Sequence, residues 1–287
     1  MTHPSGHLTG PHAWMSGLQP ADPAPGFDPS VPHPARVYAY WLGGKDHYLA
    51  DRQAAEGVMR RRPQVVAGAR ANRAFLARVV RYLATDCGIR QFLDIGTGLP
   101  APDSTHEVAQ AIAPDARIVY CDNDPLVLVH ARALLTSGGQ GCCDYIESDL
   151  RDTAVILARA ARTLDLTQPV AVLLLAVLHF IPDADDPPGI VAALTAALAP
   201  ASAVVISHLT ADLAPGQVSA GVAAYNNLVP AGITARTHTQ VSALFGSLPL
   251  VPPGVVPVAQ WRPALASMPR QPADLYAGVA RIPRDRM

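Results

Sequence analysis

The segment Gln91-Phe92-Leu93-Asp94-Ile95-Gly96-Thr97-Gly98-Leu99-Pro100 leads from a short apolar run into a glycine-rich turn, with a carboxylate two residues ahead of the first glycine. Glycines at a strand-to-helix turn let a ligand approach the backbone closely. Such a turn ordinarily suits a phosphate, but the Asp94 carboxylate would repel a pyrophosphate. The ligand expected here is cationic where it meets Asp94.

Outward from this turn, strand and helix signals alternate. Strands are expected at 92–95, 117–121, 145–146, 170–175 and 203–207. Ser104-Thr105-His106-Glu107 has capping-box spacing and predicts a helix to about Ala113. Asp124-Pro125 supplies an N-cap and a first-turn proline for a helix ending near Leu135, and Asp186-Pro187 opens another. A further helix is expected at 153–162. The unbroken apolar run at 170–175 implies burial on both faces. This serial order predicts an α/β fold, a doubly wound and mostly parallel sheet with helices on both faces. Residues 255–259 and 275–281 are expected to pair antiparallel at the sheet edge.

Ahead of the strands, Phe75, Leu76, Val79, Val80 and Leu83 recur at helical spacing within 64–84, while Arg70, Arg73, Arg78 and Arg81 fall on the other side. Asn72 lands on the apolar face of this helix. A buried amide needs partners, and either a ligand or neighbouring backbone would serve.

Ligands of doubly wound sheets sit beyond the carboxyl ends of the strands, and polar residues collect there in this chain. Strand one ends in Asp94, Gly96, Thr97 and Gly98; strand two in Cys121-Asp122-Asn123-Asp124; strand three in Ser148-Asp149-Leu150; strand four in Ala176-Val177-Leu178-His179-Phe180. Asp122 is placed to accept the hydroxyls of a ribose. Asp149 could accept from an adenine amino group, with Leu150 packed on the ring. The bland alternatives are a tight turn for Gly96 and Gly98, a helix cap for Asp122 and a turn role for Asp149. Together the positions favour a nucleoside cofactor. S-adenosylmethionine, with a sulfonium, an α-amino group and no phosphate, suits them better than a dinucleotide. His179 and His208 stand at the ligand edge as candidate bases, with His47 a third, although either strand-end histidine could simply bond the backbone.

Composition narrows the class. The chain has 287 residues, 49% of them hydrophobic, and a formal net charge of −1. That balance gives no electrostatic footprint for nucleic acid or an anionic membrane. Four cysteines, Cys87, Cys121, Cys142 and Cys143, show neither a C-x-x-C pair nor zinc-ligand spacing, so no metal is expected and a reducing cytoplasm is the natural compartment. The longest apolar run is far too short to span a bilayer. Residues 1–34, rich in Pro, Gly and His, are expected to form a disordered tail. The Arg60-Arg61-Arg62 run is expected to be a solvated helix approach. Oligomeric state is not legible.

Asp94 to Pro100 with Thr105-His106-Glu107-Val108-Ala109-Gln110, Tyr120 to Pro125, the Leu178-His179 pair and Trp41-Leu42-Gly43-Gly44-Lys45-Asp46 resemble the actinobacterial S-adenosylmethionine-dependent methyltransferase family long catalogued as a domain of unknown function. The resemblance runs from about Ala35 to the C-terminus. It implies a class I methyltransferase fold of seven strands in a single domain, 35–287, with a helical lid at 35–90 and a Rossmann-like core at 91–287. It implies that Asp94, Gly96 and Gly98, with Thr97 between them, hold the cofactor, with Asp122 and neighbouring Asn123 at the ribose and Asp149 with Leu150 at the adenine. Ala176 would lie beside the sulfonium. Tyr40, Gly44, Lys45 and Asp46, with Arg70 and Asn72, would form the lid over the pocket. Lys45 and Asp46 would hold the methionine carboxylate and amine, or pair with each other on a surface turn. The implied activity is methyl transfer to an oxygen or nitrogen of a small-molecule acceptor. The chain departs from the family pattern at Ala39 and at Ala280-Arg281-Ile282. A non-catalytic sensor or partner-binding protein on the same fold is the alternative, and a nicotinamide-dependent oxidoreductase is disfavoured by Pro100, Pro102 and Asp94.

Overall fold

The computed structural model describes residues 28–127, 129, 141–263 and 273–284. Three helices come first: α1 (Pro34–Trp41), α2 (Leu49–Arg61) and α3 (Val65–Thr85). The alternating part follows as β1 (Gln91–Ile95), α4 (Thr105–Ile112), β2 (Arg117–Asp122), β3 (Cys142–Glu147), α5 (Thr153–Ala160), β4 (Ala171–Leu175), α6 (Pro187–Ala196) and β5 (Ala203–Leu209). Helices α7 (Pro215–Leu228) and α8 (His238–Ala243) precede the closing strands β6 (Val256–Pro257) and β7 (Leu275–Arg281). The expected tail boundary falls one residue inside α1, and Asp28 to His33 already lead into it. Residues 1–27, the bulk of that tail, lie outside the described residues, as does most of the helix expected after Asp124-Pro125.

The strands form one seven-stranded sheet in the order β3-β2-β1-β4-β5-β7-β6. The first five are parallel, with Asp94 beside Tyr120 on one flank and Leu173 on the other. β7 runs antiparallel to β5 and takes β6 as its outer partner, so the expected pairing of the last two segments holds with β7 inserted between β5 and the edge. β1 neighbours both β2 and β4, which makes its C-terminal tip the topological switch point.

Alternation along the strands sorts the core into two layers. Phe92, Ile118 and Tyr120 join Phe75, Val79, Val80 and Leu83 of α3 on one face. Leu93, Ile95, Val119 and Cys121 join Ile156 of α5 and Val191 and Leu194 of α6 on the other. All five residues of β4 are buried, as its apolar run requires. Asp94 has the parity of Phe92, so its carboxylate points toward α3 and α4. A third cluster, built from Val37, Ala54, Ala55, Val58, Val65, Tyr225 and Val229, packs α1 and α2 against α7 as a layer above the strand tips.

The cap chemistry matches the sequence. Ser104 N–H donates to Glu107 at 2.9 Å, and Asp186 accepts from Gly189 N–H at 3.1 Å. Asp124 accepts from Leu126 N–H at 3.0 Å. One expectation fails at the surface: Arg62 is buried and ion-paired with Asp274 at 2.9 Å, although Arg60 and Arg61 are exposed. No helix among the described residues is long and apolar enough to cross a membrane.

Candidate active site

A cavity of about 230 Å³ opens at the tips of β1, β2, β3 and β4 beneath α1 and α3. Its floor carries Asp94, Gly96, Thr97 and Gly98 from β1, Asp122 and Asn123 from β2, Asp149 and Leu150 from β3, and Ala176 from β4. Asn72 and Tyr38 close it from above. Ten of the sequence-derived positions therefore meet in one place.

The glycine turn is dictated sterically. Gly96 has φ +73°, and a Cβ there would collide with Val177 Cγ2; Gly98 has φ +66° and open space where a Cβ would stand. Its N–H donates to Asp122 Oδ2 at 2.8 Å, and Asp124 N–H donates to Asp122 Oδ1 at 3.0 Å. Each carboxylate oxygen keeps a second lone pair.

Asp94 accepts from the Thr105 hydroxyl at 2.6 Å. Burial raises the Asp94 pKa to about 6, against the lowering effects of the Thr105 bond and the Arg73 charge. Asp122 is likewise raised by burial. Two buried carboxyls pushed toward neutrality at one cavity are groups short of positive charge and of hydrogen-bond donors. A ligand carrying an ammonium and two vicinal hydroxyls supplies both, which is the fit expected of S-adenosylmethionine.

The β3 end of the cavity is more polar than expected. Arg151 reaches both oxygens of Asp149 at 3.0 Å and bonds Asp185 at 2.6 Å, and Asn123 donates to Asp149 at 3.4 Å. Asp149 thus enters the cavity already bound by a guanidinium. Arg151 also lines the cavity, and nothing in its local sequence marked it.

Asn72 is satisfied internally. Its amide N–H donates to the Tyr38 hydroxyl at 3.1 Å, its oxygen accepts from the Ser207 hydroxyl at 2.6 Å, and Ser207 Oγ accepts from Ala176 N–H at 2.9 Å. The Tyr38 hydroxyl donates in turn to Ala69 O at 3.1 Å. The relay joins α1, α3, β5 and the β4 tip, where Ala176 adopts φ +54°. Ser207 and Tyr38 escaped sequence reading; a serine in an apolar strand was the available signal for the first.

Tyr40, Gly44, Lys45 and Asp46 are not brought to the cavity. Two residues along a helix is about 200° of rotation, so Tyr40 faces away from Tyr38 and donates to Glu56 at 3.0 Å. The glycines terminate α1 instead of approaching a ligand: Gly43 N–H donates to Tyr40 O at 3.0 Å and Gly44 N–H to Ala39 O at 2.9 Å. Gly44, Lys45 and Asp46 are exposed beyond that end, and His47 packs edge-on against Tyr40. Arg70 is exposed as well. What α1 does contribute was missed: Ala35 and Pro34 line the cavity, as does His33 just ahead of it. His33 Nδ1 and Arg36 Nε lie 3.1 and 3.3 Å from Asp124 Oδ2, and Arg36 is also 3.6 Å from buried Asp51.

The two strand-end histidines part company. His208 is fully buried; its Nδ1 bonds Leu209 O at 2.7 Å, and its Nε2 accepts from Arg236 at 2.8 Å. Both ring nitrogens are committed and it lines neither cavity described here, so it is not available as a base. His179 lines a second, smaller chamber of about 60 Å³ beside the first. Pro34, Tyr38, Ala176 and Phe180 belong to the walls of both.

Comparison with known proteins agrees with this fold. A family model described as S-adenosyl methyltransferase matches residues 20–283. A DUF574 family protein from Streptomyces avermitilis is 41% identical with a TM-score of 0.85, over 89% of this chain and 99% of that one. A proposed methyltransferase from Thermobifida fusca is 38% identical with a TM-score of 0.83, over 91% and 98%. The plantazolicin methyltransferase BpumL, solved with SAH and a triazolic desmethylPZN analog, shares the fold at 13% identity and a TM-score of 0.51, over 87% of this chain and 96% of that one. No curated protein matches the chain.

Proposed function

The chain belongs to the S-adenosyl methyltransferase family and uses S-adenosylmethionine; from that premise we propose that the larger cavity holds this cofactor while a small-molecule acceptor offers an oxygen or nitrogen from the β4 side. Bound there, the cofactor supplies a methyl group already activated on a sulfonium. The chain's own residues then have to align the reactants and exclude water.

Asp94 faces the α-ammonium, and Asp122 with Asn123 takes the ribose hydroxyls. Leu150 covers the adenine, with Asp149 beside its amino group. The Gly96-Thr97-Gly98 backbone lies under the methionine part. Asn72 and Tyr38 cover the site from above. The observation that carries this reading is the meeting of buried Asp94 and Asp122 at one switch-point cavity, both pushed toward neutrality by burial.

Calorimetric titration tests the cofactor site. S-adenosylmethionine and S-adenosylhomocysteine should bind and NAD should not. Incubation with methyl-labelled cofactor and a metabolite extract tests the acceptor. Label should appear in a low-molecular-mass product; label found only in macromolecules would remove the small-molecule reading.

A further inference from the structure

The smaller chamber shares a wall with the cofactor cavity, and its lining is unlike that of its neighbour. Trp41, Tyr38, Phe180, Leu209, Ile233 and Leu275 make most of it apolar. Its one formal charge, Arg62, is neutralised by buried Asp274 at 2.9 Å. Two polar atoms in this lining are buried without a hydrogen-bond partner: His179 Nδ1 and the Tyr225 hydroxyl. His179 is 9% exposed and Tyr225 2%. Orphaned buried polar atoms are rare in folded proteins and ask for an occupant that satisfies them.

Resting on the methyl-transfer reading, we infer that this chamber binds the methyl acceptor, and that the acceptor is a neutral molecule with an apolar ring bearing a hydroxyl, a phenol in chemical class. The hydroxyl reaches His179 Nδ1 and the Tyr225 hydroxyl once these side chains turn toward it, since burial leaves neither atom appreciable exposed surface. The chamber takes the hydroxyl and one edge of the ring, since a cavity of about 150 Å³ is the scale that admits a whole benzene; the rest of the ring lies along the shared wall between half-buried Tyr38 and Phe180. Charged molecules are excluded because the chamber offers no free counter-ion and an apolar wall cannot replace their hydration.

Burial, the nearby His208 and the Arg62 and Arg236 charges hold His179 neutral, which leaves it free to accept a hydrogen bond. On transfer, an oxygen lone pair forms the new C–O bond as the methyl carbon's bond to sulfur breaks and leaves its electron pair on sulfur. The hydroxyl proton, made strongly acidic by the arriving methyl, passes to His179 Nδ1. A weak base suffices for a proton so acidified.

The test is calorimetric titration of the intact protein with phenol, toluene and benzoate, with and without saturating S-adenosylhomocysteine. Phenol should bind about tenfold more tightly than either of the others, the equivalent of one well-made buried hydrogen bond. Tyr225→Phe and His179→Phe should each weaken phenol binding by about five- to tenfold while leaving toluene and S-adenosylhomocysteine affinities unchanged. Toluene or benzoate binding as well as phenol, or phenol binding unmoved by both variants, would overturn the assignment. Failure of S-adenosylhomocysteine to bind would count instead against the cofactor reading, and the titrations without it still decide the chamber.

Discussion

Gly98 N–H donates to Asp122 Oδ2 across 2.8 Å, so the turn after β1 is tied to the tip of β2 by a side chain that the proposed cofactor site also uses. Replacing Asp122 therefore has two separable effects. Asp122→Ala should weaken S-adenosylhomocysteine binding by about 10- to 100-fold, the scale of hydrogen bonds to a charged group. It should also lower the melting temperature, because Gly98 and Asp124 lose their acceptor. Asp122→Asn keeps one acceptor oxygen and should recover most of the stability but little of the affinity. Calorimetry beside thermal unfolding checks both, and equal loss of stability in the two variants would contradict the assignment.

The raised pKa of Asp94 sets a pH dependence whose sign differs between folding and binding. Its folded value of about 6 lies above the ordinary 3.8. Asp94 thus contributes stability that is fully present below 3.8 and is lost as pH rises through about 6, on the order of 3 kcal/mol at most. Cofactor affinity runs the other way, because an ammonium selects the carboxylate. Binding should strengthen as pH rises through about 6 and take up less cofactor below it. Asp94→Asn should flatten both profiles; a binding profile in the variant as steep as in the parent would refute the role.

The two glycines of the turn after β1 should respond differently to alanine. At Gly96 the new Cβ meets Val177 as well as an unfavourable φ, and unfolding measurements should show a loss of about 2–4 kcal/mol. At Gly98 only the backbone term applies, about 1–2 kcal/mol. Its larger effect should be on cofactor affinity, since the added methyl stands in open space at the cavity. An equal stability cost at both positions would argue against this turn geometry.

Arg36 is the cation shared by Asp51 and Asp124, all three buried. Burial alone would raise Asp124, but His33 and Arg36 bring it below its ordinary value. Its contribution to stability is therefore present above pH 3.8 and is lost as pH falls through the lowered folded value. Arg36→Met should destabilise the chain by about 3–5 kcal/mol, because it leaves two carboxylates short of positive charge. Chemical denaturation measures this directly, and a change below about 1 kcal/mol would mean the pair is solvated.

Period, caps and strand-end carboxylates made the sheet readable, because each is a local signal. The floor of the cavity was readable for the same reason: Asp94, Asp122 and Asp149 each end a strand. The roof was not. Whether Tyr38 or Tyr40 faces the cavity depends on the rotation of α1, which its packing on α2 and α3 decides. β3 proved longer than expected because Cys142-Cys143-Asp144 carries little strand character and pairs only through β2. Arg62 looked like one of a solvated run until Asp274, 212 positions later, supplied its partner. His208 was read from its place at a strand end, and only the tertiary position of Arg236 shows that its second nitrogen is taken.

The relay from Tyr38 through Asn72 to Ser207 has a kinetic consequence. Its inner links, Asn72 to Ser207 and Ser207 to Ala176, join α3 to the sheet and belong to the frame. Tyr38 alone reaches it from α1, through one phenolic oxygen shared between Asn72 and Ala69. Swinging that first helix aside would break this oxygen's two bonds and also strip Asp124 of His33 and Arg36, so any exchange of the proposed cofactor by that route is gated by buried ion pairs while the strands beneath stay whole.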